Sequence, residues 1–199
     1  MSCMENKHIP SSESEKLQAI SEVSTYSAGV MPTAITYSYQ LLQRHMRGET
    51  VLEMGPAEGV MTERLVASGK LVTVVEGSAL FCDSLRQRFP HIEVVHSLFE
   101  DYTPARRFDT VVLGHVLEHV QDPVDVLRRV KAWLAPSGCV FAAVPNSRSI
   151  HRQAAVLMGL LPQVHRKDTD IADIISRLLQ KAHGIHYNLP NIPNKYLRS

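Results

Sequence analysis

The stretch Val51-Leu-Glu-Met-Gly-Pro-Ala-Glu-Gly59 is the feature that most constrains what this chain can fold into. A short apolar run at residues 50–53 ends in a loop with glycine at 55 and 59. Residues 59–68 then read as a helix, ended by Gly69. A strand that passes through a glycine-bearing loop into a helix opens a βαβ unit, because a parallel partner strand needs a crossover to bring the chain back. The alternation continues. Strand-like runs fall at 71–75 (LVTVV), 92–95, 108–113 (FDTVVL) and 139–144 (CVFAAV). Helices are predicted at 79–89, stopped by Pro90, and at 123–134, between Pro123 and Pro136. The apolar runs in these strands suit strands buried on both faces. The predicted fold is α/β: a Rossmann-like, doubly wound, mostly parallel sheet with right-handed crossovers.

In such a sheet, ligands bind beyond the carboxyl ends of the strands, where the strand order reverses. The 53–59 loop is the natural cradle. Gly55 permits a sharp turn beside a ligand, Ala57 is small, and Gly59 opens a helix whose N–H groups face a polar ligand. Glu76 ends the second predicted strand, about 20 residues beyond the loop, where a carboxylate accepts hydrogen bonds from ribose hydroxyls; Gly77 and Ser78 follow it. A dinucleotide fingerprint, GxGxxG, fails here: with Gly55 as its first glycine, the other two positions hold Ala57 and Val60. A nicotinamide oxidoreductase is therefore the weaker reading.

Three ordered segments, VLEMGPAEG, RFDTVVLGHVLEHVQDP and WLAPSGCVFAAVPN, resemble those of class I S-adenosylmethionine-dependent methyltransferases over roughly residues 48–150. The resemblance implies S-adenosylmethionine as cofactor, S-adenosylhomocysteine as product, and methyl transfer to an O or N atom of a small acceptor. It implies that Glu53, Gly55, Ala57 and Gly59 surround the methionyl and ribose portions, that Glu76 holds the ribose diol, and that Phe99 and Glu100 border the adenine. Leu113 and Gly114 would line the methionine side, with His115 or His119 near the reacting methyl. The chain departs from the family pattern at Ala57, where the loop's middle glycine is usual, and at Leu98, where an Asp often contacts the adenine amine. No sixth or seventh strand is recognisable after Ile150. A protein that binds the cofactor without catalysis is thus the alternative.

His115-Val-Leu-Glu-His119 also matches the H-x-x-E-H pattern of some zinc hydrolases. That pattern needs a long helix to bring both imidazoles to one metal, whereas here it follows a buried strand and meets Asp122-Pro123. No metal is expected. Two readings of the segment stay open: Glu118 and His119 cap the loop, or His115 or His119 takes a proton from an acceptor, as an imidazole titrating near neutrality is suited to do. Tyr26, Tyr37 and Tyr39 either pack or cover the cofactor. Asn146 either touches substrate or ends a strand. Residues 149–161 serve as a lid or as a homodimer contact.

The chain divides into a flexible arm (1–16), a helical cap (17–47, with a helix at 32–46), the core (48–150) and a helical extension (151–199). A net charge of +1 and the lack of a Lys/Arg stripe argue against a nucleic-acid partner. No apolar run reaches the ~18 residues of a membrane span. Three widely spaced cysteines form no CxxC pair, and residues 1–16 lack a secretory apolar segment, so a cytoplasmic protein is expected.

Overall fold

The computed structural model describes residues 31–144 and residue 158. Five strands form one sheet in the order β3-β2-β1-β4-β5, every neighbouring pair parallel. In chain order the elements are α1 (Met31–Gln43), β1 (Thr50–Met54), α2 (Val60–Ala67), β2 (Leu71–Glu76), α3 (Ala79–Arg88), β3 (Glu93–His96), β4 (Phe108–Gly114), α4 (Pro123–Trp133) and β5 (Leu134–Ala143). From β1 the chain winds outward through β2 and β3, then returns to the other side of β1 for β4 and β5. The order therefore reverses between β1 and β4. This is the doubly wound parallel sheet that the alternation predicts.

Successive side chains of a strand point to opposite faces, so each central strand feeds two cores. Leu52 and Met54 of β1 join Val111 and Leu113 of β4 on one face. Helix α4 covers that face with Val126, Val130 and Trp133, spaced to lie along one helical stripe, and Trp133 meets Tyr102 edge-on at 5.4 Å between ring centres. Val51, Val72, Val74 and Val112 point the other way, under Tyr39 and Leu42 of α1, Met61 and Leu65 of α2 and Leu85 of α3. The helix starts follow local chemistry. Asp122 caps α4 by accepting from the Val124 and Asp125 N–H groups at 2.9 Å, with Pro123 in the first turn. Ser78 caps α3 through the Phe81 N–H.

Strand β5 begins at Leu134, earlier than the sequence suggests. Phe108 pairs with Leu134 and Thr110 with Cys139, so the intervening Pro136-Ser-Gly segment bulges from the ladder. The same amino-terminal end of the sheet is pinned by Asp109, whose Oδ2 accepts from the Thr50 N–H (3.0 Å), the Thr50 hydroxyl (2.8 Å) and the Glu49 N–H (3.0 Å). Among the described residues no helix is long and apolar enough to cross a membrane. Tyr26, Asn146, the arm, the 149–161 segment apart from Met158, and any strand after β5 lie outside the described residues.

Candidate functional site

The carboxyl ends of β1, β2 and β4 open into one cavity of about 370 Å³ at the point where the strand order reverses. That volume falls within the roughly 300–1,000 Å³ common for small-molecule sites. The loop after β1 forms one wall. Its shape needs positive φ at Gly55 (66°), Ala57 (48°) and Gly59 (76°). A side chain at Gly55 would also meet Val116 Cγ2 at 2.7 Å, so loop and wall approach each other through the missing Cβ. Gly59 faces elsewhere: a Cβ there would strike Leu85 of α3. Its part is to let α2 start close against α3. Ala57 adopts the left-handed conformation that the middle glycine of the family pattern takes freely, at a cost of about 1–2 kcal/mol.

Glu76 ties the walls together. Its Oε2 accepts from the Ala57 N–H at 3.1 Å and its Oε1 from the Ser78 N–H at 2.9 Å. The carboxylate thus holds the strained loop, and each oxygen has a further lone pair for a ligand hydroxyl. Burial pushes its pKa up, against the opposing pull of those N–H groups and of nearby His96. Glu53 lies beside it on the cavity floor, its Oε2 accepting from the Thr62 hydroxyl at 2.7 Å. Burial pushes Glu53 up to about 7; the Thr62 bond resists this and the Glu76 charge adds to it. Near neutral pH this carboxyl is poised between its two states.

Beyond β3, Leu98, Phe99 and Glu100 border the cavity. Beyond β4, Gly114, His115 and His119 line it. His115 also has positive φ, 58°, while its N–H still bonds to the Ala143 carbonyl at 2.8 Å. The backbone turns at that residue, and residues 117–119 form a turn rather than the helix an H-x-x-E-H zinc site requires. Among the described residues no group of three His, Cys, Asp or Glu side chains is placed to hold a metal ion. The His115 pKa is pushed down, first by burial and then by His119, which favours the neutral ring.

Of the residues singled out from the sequence, Glu53, Gly55, Ala57, Glu76, Gly77, Ser78, Phe99, Glu100, Gly114, His115 and His119 meet at this cavity. Gly59 and Leu113 do not line it: Gly59 packs on α3, and Leu113 is fully buried in the core under α4. Val116, Met61 and Ile35 are lining residues that the sequence did not single out. Ile35 of α1 had a signal in the apolar periodicity of that helix. Val116 had none, since its partner Gly55 lies far away in the chain.

A family model described as a methyltransferase domain matches residues 32–190. The chain belongs to this family. Among sequence relatives of the methyltransferase domain, the ubiquinone biosynthesis O-methyltransferase of Actinobacillus pleuropneumoniae serotype 7 is 25% identical over 166 residues, 71% of this chain and 70% of that protein. A solved structure described as a DhpI–SAM–HEP complex is 28% identical, with a TM-score of 0.55, covering 64% of this chain and 63% of that one. The N-methyltransferase NodS of Bradyrhizobium japonicum WM9, solved with S-adenosyl-L-homocysteine, shares the fold at 24% identity and a TM-score of 0.51, over 55% of this chain and 59% of its own. The chain thus spans less than two thirds of either solved protein.

Proposed function

We propose that this methyltransferase domain binds S-adenosylmethionine in the cavity at the β1/β4 reversal and methylates an O or N atom of a small molecule, with oxygen favoured. The observation that carries the reading is the Glu76 carboxylate, held by Ala57 and Ser78 at the cavity wall with acceptor capacity to spare. A ribose diol presents two adjacent donors to such a group. Phe99 and Leu98 offer apolar faces to an adenine, and Gly55 keeps the wall free of a side chain. The bound cofactor supplies a methyl group already activated on a sulfonium. The protein's own work is positioning, exclusion of water and proton removal from a hydroxyl acceptor. His115 and His119, both at the cavity, are the candidates for that last role. The O-methyltransferase relatives support oxygen as the acceptor atom. Two free thiols, Cys82 and Cys139, support a reducing, cytoplasmic setting.

The test is calorimetric titration with S-adenosylmethionine, S-adenosylhomocysteine and NAD. Binding of the first two in the micromolar range, without NAD, is expected. Glu76→Gln should weaken S-adenosylhomocysteine at least tenfold. Binding of NAD alone would overturn the assignment.

A further inference from the structure

Burial works against the charge of Glu53, and one hydrogen bond works for it. The Thr62 hydroxyl donates to Oε2 at 2.7 Å, and such a bond favours the ionised carboxyl. Thr62 stands in the first turn of α2 with no exposed surface, and it is not among the cavity-lining residues. Its hydroxyl can therefore act on a ligand only through Glu53. Oε1 of Glu53 makes no hydrogen bond among the described residues, yet it is not one of the buried atoms left without a partner. That oxygen is thus open to the cavity that Glu53 lines. One oxygen is anchored and the other is presented. An ionised carboxyl in this place lowers the stability of the fold, so its retention calls for an explanation.

We propose that Thr62 is a positioning residue: by pinning Oε2 it holds the Glu53 carboxylate with Oε1 toward the cavity, ready for the ammonium of the ligand's amino-acid portion. The inference rests on the cofactor reading. S-adenosylmethionine and S-adenosylhomocysteine both carry that ammonium beside a carboxylate. Glu53 supplies the opposite charge where burial strengthens the attraction. A carboxylate held in place before the ligand arrives loses less freedom on binding. Glu76 of β2 lies beside Glu53 and opposes its ionisation. The other titratable groups at the cavity are Glu58 after β1, Glu100 and Asp101 after β3, and His115 and His119 after β4. The histidines, once protonated, attract the ligand's carboxylate and favour binding at low pH. Glu53 favours binding as pH rises through about 7, so the two slopes have opposite signs.

The experiment is calorimetric titration with two ligands, S-adenosylhomocysteine and methylthioadenosine, from about pH 5.5 to about pH 8.5. Methylthioadenosine keeps the adenosine and lacks the amino-acid portion. A change at Glu76 therefore moves both ligands, and only S-adenosylhomocysteine reports Glu53. In the unaltered protein S-adenosylhomocysteine should tighten relative to methylthioadenosine as pH rises through about 7. Thr62→Val keeps the shape and removes the hydroxyl. It should weaken S-adenosylhomocysteine about fivefold at neutral pH, move the midpoint of its profile to higher pH, and leave methylthioadenosine within about twofold. Thr62→Ser, whose hydroxyl still donates, should restore both the affinity and the midpoint. Equal weakening of the two ligands by Thr62→Val overturns the proposal, as does an affinity for S-adenosylhomocysteine that Thr62→Val leaves unmoved or Thr62→Ser fails to restore. If Thr62→Val does not fold, Thr62→Ala against Thr62→Ser, a pair that differs only by the hydroxyl, decides on the same criteria. Failure of both ligands to bind the unaltered protein overturns the cofactor reading and this proposal with it. Binding of both, without the selective loss, overturns this proposal alone.

Discussion

Glu53→Gln should make the protein more stable at alkaline pH and change it little at acid pH. The Glu53 carboxyl is buried at 3% exposure, holds one hydroxyl from Thr62, and faces the charge of Glu76. Its folded-state pKa of about 7 lies above the ordinary 4.5. Below 4.5 the group is protonated whether the chain is folded or not, and it contributes no pH dependence. Between 4.5 and about 7 the unfolded chain releases the proton while the folded one keeps it, so stability falls as pH rises. Above 7 the loss is complete. At about 1.4 kcal/mol per unit of pKa difference, it amounts to about 3 kcal/mol. Glutamine keeps the acceptor for Thr62 and removes the titration. Urea denaturation of both proteins at pH 5 and pH 8 measures this directly. The advantage of Glu53→Gln should grow by roughly 2–3 kcal/mol from the lower pH to the higher. A difference between the two proteins that stays constant with pH would refute the reasoning.

Three further outcomes follow from the loops and the sheet edge. Ala57→Gly should relieve the left-handed strain, partly offset by the freer unfolded chain, and raise the stability by up to about 1 kcal/mol in thermal melts; a lower melting temperature would contradict the observed φ. Gly55→Ala should do the reverse, costing about 1–3 kcal/mol and weakening S-adenosylhomocysteine in calorimetry, because its Cβ would lie 2.7 Å from Val116. Asp109→Ala should destabilise the fold at pH 7 by freeing the start of β1. The hydrogen bonds from Thr50 and Glu49 hold the Asp109 pKa below its usual value, so this contribution is present above that value and lost as pH falls through the lowered one. The gap between Asp109→Ala and the unaltered protein should therefore narrow in denaturation as pH falls below the ordinary aspartate value of 3.8.

The sheet was legible because β1, β2 and β4 are largely buried on both faces and carry short runs rich in apolar, β-branched residues. The start of β5 was not, because Pro136-Ser-Gly138 reads locally as a turn, and only pairing with β4 returns Leu134 to the ladder. Gly55 and Glu76 stood out by their spacing, and Glu53 by the family resemblance; all three line the cavity. The left-handed turn at His115 was not legible: local preference disfavours that conformation and the surrounding packing imposes it. Leu113 was placed at the cofactor by position in a motif, but the strand's alternation sends its side chain into the core.

Glu76 reaches across to Ala57 with one oxygen and to Ser78 with the other. The length of that side chain therefore acts as a ruler between two loops that the chain itself joins only through a strand and a helix. Aspartate carries the same charge but is one methylene shorter, and it cannot span the same gap without drawing the loops together. Charge alone is then no guide to which acids this position tolerates; reach is the property that the fold measures.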